Sequence, residues 1–404
     1  MRSLPLWLVA FAALWIAAPL SAQSLPAGPI TAFDGQVVVA GEILVSIGDT
    51  DDIAFFNYTD YEHNALRLFR VALSAAWRPT QRLAFLGEVR SEDLEHPHAY
   101  AAYVRVRPWV NRSLDIQAGR IPPSFGAFGR LNYNIDNALI GYPLAYQYLT
   151  SIRPDAIPAT VNDLIRMRAR GWQSSFPVGA AGGAPGVPLM SALRWDTGVQ
   201  ARWSGRAVDI SGGVTAGTLS DPRVSDNNGG RQLSGRLALR PATGLILGAS
   251  AARGEWISRN VLRLLSSTRS YAQTAWGADL EYSRDHWLVR SEIVWSRWRL
   301  PLAITNPSGT DLDAVAVWTE GRYRLTPRIF VAARLDRLSF SRVMPTAPDA
   351  APIAWDAPVT RLETGVGYYF QRNLIARAVV QHNDRAAGRV RTRTYFSGQL
   401  SYWF

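Results

Sequence analysis

All 43 basic positions of the chain other than histidine read as arginine, set against 32 acids, five histidines and no cysteine. The lack of cysteine excludes disulfides and thiolate chemistry. Several ions stand two positions apart: Arg290/Glu292, Glu320/Arg322, Arg334/Asp336 and Arg361/Glu363. On an extended strand that spacing puts both groups on one face. Such groups could pair with their neighbours and stiffen a wall. A surplus of guanidinium groups on that face could instead set up a field that favours anions. Both accounts stand at this point. The candidate lining residues on strands are Arg105, Arg107, Arg202, Arg236, Arg290, Arg322, Arg334, Arg361 and Arg377. Tyr142, Tyr146, Arg166 and Arg170 join them from the longest connection, 122–191.

Other chemistry is less well supported. Glu92, Asp93, Glu95, His96 and His98 carry metal-ligating atoms, but a solvated acidic loop explains them more simply. Asp49, Asp51 and Asp52 have the composition of a calcium site without its spacing. A hydrolase would need a histidine beside serine or carboxylates. His286 falls in a short turn and His382 at a strand end, and neither sits in a catalytic motif. No cofactor is implied, and the chain is read as a non-enzyme.

The elements that would position these groups are strands. Segments 35–47, 66–77, 82–90, 99–107 and 114–121 alternate apolar and polar residues, and the alternation resumes at 193–203. It continues through 208–219, 232–240, 245–252, 272–282, 287–298, 314–325, 329–340, 362–370, 374–382 and 393–404. In the segment 99–107, Tyr100, Ala102, Val104 and Val106 are assigned to the apolar face. Tight turns and long polar connections (300–311 among the long ones) fall in alternate gaps, which is the rhythm of a membrane barrel. Fifteen Trp and fifteen Tyr suit aromatic girdles at the two interfaces. The expected fold is all-β: a transmembrane antiparallel up-and-down barrel of about sixteen strands with a long inserted loop.

Residues 1–22 read as an export signal, with Arg2, an apolar run and small residues Ser21 and Ala22 before the expected cut. Residues 23–34 would be an N-terminal periplasmic segment and 35–404 the barrel. Export removes the nucleic-acid reading that a net charge of +11 would otherwise invite, and leaves anionic lipid headgroups and anionic solutes as partners.

The last strand places Phe404, Tyr402, Leu400, Gly398 and Phe396 on one face. It resembles the C-terminal signature of bacterial outer-membrane barrels. The passage from Gly119 through Pro123, Ser124, Phe125 and Gly126 resembles, over a dozen residues, a strand-to-loop passage of phosphate-selective porins. That resemblance implies a porin whose long loop, 122–191, folds into the pore, and a homotrimer in the outer membrane. Passive diffusion of small hydrophilic solutes would follow, and an arginine surplus facing the lumen would add a preference for anions. A loop-plugged scaffold of an envelope complex and a barrel hydrolase are the alternatives. Within the loop, Thr160 and Asp163 should cap a short helix running to Arg170, with Gly171 ending it. Inward folding would bring Arg166 and Arg170 to the constriction, while outward folding would leave them on an external patch.

Overall fold

The structure is a computed structural model that describes residues 26, 28–51, 56–59, 64–127, 133–191 and 194–404. The expected signal 1–22, residues 23–25 and 27 of the following segment, and Asp52 lie outside the described residues.

Sixteen strands form one closed ring. They are β1 (Val37–Gly48), β2 (Leu68–Trp77), β3 (Leu83–Glu92), β4 (His98–Val106) and β5 (Leu114–Ile121). Next come β6 (Asp196–Ser204), β7 (Val208–Thr215), β8 (Gln232–Ala242), β9 (Leu245–Glu255), β10 (Ala272–Arg284) and β11 (Trp287–Leu302). The ring ends with β12 (Asn306–Arg324), β13 (Ile329–Phe340), β14 (Val359–Gln371), β15 (Leu374–Arg385) and β16 (Thr392–Trp403). Each pairs antiparallel with its neighbours, and β16 pairs back onto β1 from Trp403↔Glu42 to Ser397↔Gly48. A short extra strand, Ile30–Ala32, pairs with the start of β1 outside the ring.

Closure leaves no open edge. The amide of Phe404 donates to the Gly41 carbonyl at 3.0 Å, and the Gly41 amide donates back at 3.1 Å. The Phe404 ring lies so close that a Cβ on Gly41 would stand 2.5 Å from it, so this position suits glycine.

Strand alternation sorts the side chains. β13 exposes Val331 and Leu335 outward and buries Arg334, Asp336 and Leu338 inward. Outward aromatics gather near the short turns: Trp77 on Phe85, Trp287 on Tyr323, and Tyr402 near Phe404. A second set, Trp276, Trp295 and Phe396, lies towards the long-loop end. The girdle assignment does not extend to all tryptophans. Trp195, Trp256, Trp298, Trp318 and Trp355 are buried, and the last four join an apolar core inside the upper barrel.

Two expectations change. β4 carries a bulge where Glu88↔Ala101 gives way to Val89↔Ala99, which turns Tyr100 from the outer to the inner face. There the Arg90 guanidinium lies 3.4 Å over its ring. The expected loop at 300–311 is mostly strand, because β11 and β12 continue past the rim as a hairpin. Ala303 and Ile304 at its tip donate to the carbonyls of Pro158 and Ala159.

Candidate functional site

The long connection turns inward at once. Gly119 (φ +130°) and Gly126 (φ +62°) take left-handed backbone that disfavours a side chain. Between them Phe125 packs on Gly277, whose missing Cβ makes room for the ring. The Gly126 amide donates to Ser250 Oγ at 2.9 Å, and the Ala127 amide to Glu292 Oε1 at 3.1 Å. Glu292 also accepts from Trp318 Nε1 at 3.0 Å and from the Tyr146 hydroxyl. One wall carboxylate thus holds the loop at two points.

The bed of the loop is a row of alternating charge crossing β10 to β14. Register makes Glu281, Arg290, Glu320, Arg334 and Glu363 successive cross-strand partners. Arg334 bonds Asp336, Glu320 and Glu363 at 3.1, 3.2 and 2.7 Å, and its Nη2 also donates to the Gly141 carbonyl at 2.7 Å. Gly141 donates in turn to Glu363 Oε1 at 2.9 Å. Arg361 reaches the carbonyls of Tyr142 and Phe56, so the first outer loop is held by the same residue. Arg377 donates to the carbonyl of Asn134 at 2.6 Å, and Arg290 to that of Asp136 at 2.7 Å. These guanidinium groups satisfy loop carbonyls that water would otherwise have to reach.

The candidate residues therefore separate into groups. Arg334, Arg361 and Arg377 face inward as expected, yet the loop covers them, and they clamp it instead of meeting solvent. Tyr142 and Tyr146 are buried inside the barrel, on and beside the short helix α1 (Leu144–Gln147). Arg166 and Arg170 are exposed at the external rim. Helix α2 (Val161–Arg166) has the expected Thr160/Asp163 capping box but stops before Arg170. Inward folding holds for the first half of the loop, whereas the second half lies among the outer loops. Asp356 of the 341–358 loop accepts from Ser151, Ala169 and Ala357 amides, each at 2.7 Å. Burial pushes the Asp356 carboxyl above the ordinary carboxylate range, even against those three donors. Asp356, Gly141 and Gly277 carried no signal that set them apart as loop contacts; only the glycine inside a strand hints at close approach.

Against β4 to β11 the loop leaves space. A cavity of about 360 Å³ is lined by Tyr103, Gln117, Ser124, Arg202, Arg236, Arg240, Asp209, Asp279, Glu281 and Arg290. Arg236 pairs with Asp279, Arg240 with Asp209, and Arg290 with Glu281. Arg107 pairs with Asp115 at 2.8 Å. Among the described residues no carboxylate lies within ion-pair distance of Arg202, Arg105 or Arg322; Arg322 lies over the Phe330 ring, 5.7 Å away. Arg202, Ser211 and Arg236 form one cross-strand row on the cavity wall. A second cavity of about 270 Å³ opens on the loop side of Tyr146, bounded by Pro154, Val187, Arg194 and Arg223. Of the histidines set aside earlier, His382 bonds Thr394 at 2.8 Å on the outer face and His286 stands against Tyr323.

No family profile matches the sequence, and no curated protein does so either. Solved structures do resemble the fold. The anion-selective porin of Comamonas acidovorans superposes with a TM-score of 0.57 at 8% identity, over 91% of this chain and 99% of that one. OmpT of Vibrio cholerae, an outer-membrane protein, gives 0.55 at 12% identity, covering 93% and 100%. The outer membrane channel DcaP of Acinetobacter baumannii gives 0.53 at 12%, again over 93% and 100%. With its closed sixteen-stranded antiparallel ring, the chain shares the β-barrel fold of these solved outer-membrane proteins.

Proposed function

We propose that the protein is an outer-membrane channel for passive diffusion of small hydrophilic solutes, narrow and biased toward anions. The water-facing cavity between the loop and the β4–β11 wall carries this reading. It holds more guanidinium groups than carboxylates, and among the described residues Arg202 has no carboxylate within ion-pair distance. A fixed positive field in a confined, low-dielectric passage raises the local concentration of anions. The apolar outer face suits hydrocarbon, and the girdles at its two ends suit the interfaces. Solved neighbours that are themselves outer-membrane channels or porins support the same placement, and one of them is anion-selective. A homotrimer fits the trimer form known for one of the neighbours.

The test is conductance and reversal potential of the refolded protein in a planar bilayer under a KCl gradient. Stable current steps with a chloride-leaning reversal potential are expected. Cation preference would remove the anion bias, and silence from a correctly folded barrel would remove the channel.

A further inference from the structure

The outer wall of β8 to β12 carries a feature the lumen does not explain. At the long-loop end of the lipid-facing surface, register places Arg253, Thr274, Arg297 and Asp313 in one outward row. Arg253 donates to Thr274 Oγ1 at 3.4 Å and, among the described residues, has no carboxylate partner. Arg297 engages Asp313 through Nε and Nη2 at 2.7 and 3.1 Å, while its Nη1 stands 3.9 Å from Asp311. Two residues toward the membrane centre, Trp276 and Trp295 are cross-strand partners, with Arg297 over the Trp295 ring at 5.0 Å. Below them the wall sinks into an apolar groove of about 660 Å³. Gly235, Ala249, Ala251 and Ala278 lie along it, and the larger side chains of Leu237 and Ile293 rise beside them.

Cations above, tryptophans at the interface and a furrow below match the layers of one lipid molecule. Guanidinium groups bind phosphate oxygens in a forked geometry, and Trp settles at headgroup depth. We propose that this face is a binding site for a phosphate-bearing, acylated lipid of the external leaflet. Arg253 takes the phosphate, the Nη1 edge of Arg297 that Asp313 leaves open stands beside it, and the groove takes one acyl chain. The site rests on the outer face being lipid-facing, and not on the lumen being open.

Native mass spectrometry of the detergent-solubilised, folded barrel tests it, with diphosphorylated lipid A, its dephosphorylated form and inorganic phosphate as probes. The wild-type protein should retain the phosphorylated lipid, and the Arg253→Ala, Arg297→Ala double variant should lose about tenfold in retention. Ala251→Trp, which fills the groove and keeps both arginines, should weaken lipid binding alone. Equal retention of the two lipid forms, or of lipid by wild type and both variants, overturns the proposal. Equal competition by inorganic phosphate and by lipid overturns the acyl-chain part. Because the assay needs no conducting lumen, a silent bilayer recording and a failed lipid assay are separate results.

Discussion

Arg334 on β13 and Glu363 on β14 are register partners 2.7 Å apart, and both also bond the backbone of Gly141. The wall's ion pair is thus the seat of the loop as well. Removing the cation would leave Glu320, Asp336 and Glu363 buried together without their shared partner. Arg334→Leu should destabilise the folded barrel by about 3–5 kcal/mol, the usual cost of stranding a buried charge. Its melting transition should fall clearly below that of the wild type. An unchanged melt would show that the loop is seated elsewhere.

Gly141 offers a steric version of the same test that leaves the charges in place. A Cβ there would meet Glu363 Oε2 at 2.6 Å and Gln381 Nε2 at 2.7 Å. Gly141→Val should cost about 1–3 kcal/mol in loop seating. Single-channel conductance should rise, because a displaced loop widens the passage. Conductance equal to the wild type would mean that this segment does not limit flow.

How much of this was legible beforehand depends on the range of the interactions. Strands repeat every two residues, so a run such as 329–340 declares both its existence and its buried face, and it is found as read. The bulge at Tyr100 breaks that period by one residue and is invisible to it. The seat of the loop is harder still. Arg334 and Gly141 are 193 positions apart, and Asn57 and Gln381 are 324 apart. An inward-facing arginine looks the same in sequence whether a loop carbonyl or water will meet it. Arg202 and Arg361 were therefore indistinguishable, although one lines a cavity and the other is sealed.

That difference separates two charge reversals. Arg202→Glu changes the cavity wall by two charges, which alters the energy of a contacting ion by roughly 1–2 kcal/mol in water. Relative anion permeability should fall about tenfold. The Arg166→Glu, Arg170→Glu double variant changes only the outer rim, where Arg166 is 72% exposed, and its reversal potential should move much less. A larger shift from the rim pair would place the selective step at the mouth of the barrel.

The latch between the two loops should respond to pH in a direction its burial dictates. Asp356 has a folded-state pKa raised above its ordinary value, chiefly by burial, with the amides of Ala169, Ala357 and Ser151 and the Arg385 guanidinium opposing. A raised acid pKa means that the folded loop favours the protonated form. Its contribution to stability is therefore fullest below the ordinary carboxylate pKa and declines as pH rises through the raised value. Protease nicking within 151–170 should consequently quicken over that interval. Asp356→Asn removes the titration, so nicking there should no longer follow this pH step. It also replaces one acceptor with a donor, leaving a buried amide of Ser151, Ala169 or Ala357 unsatisfied at about 1–3 kcal/mol. Faster but pH-independent nicking in the variant is the expected pair of results. Nicking that slows as pH rises in the wild type, or keeps its pH step in the variant, would remove Asp356 from the latch.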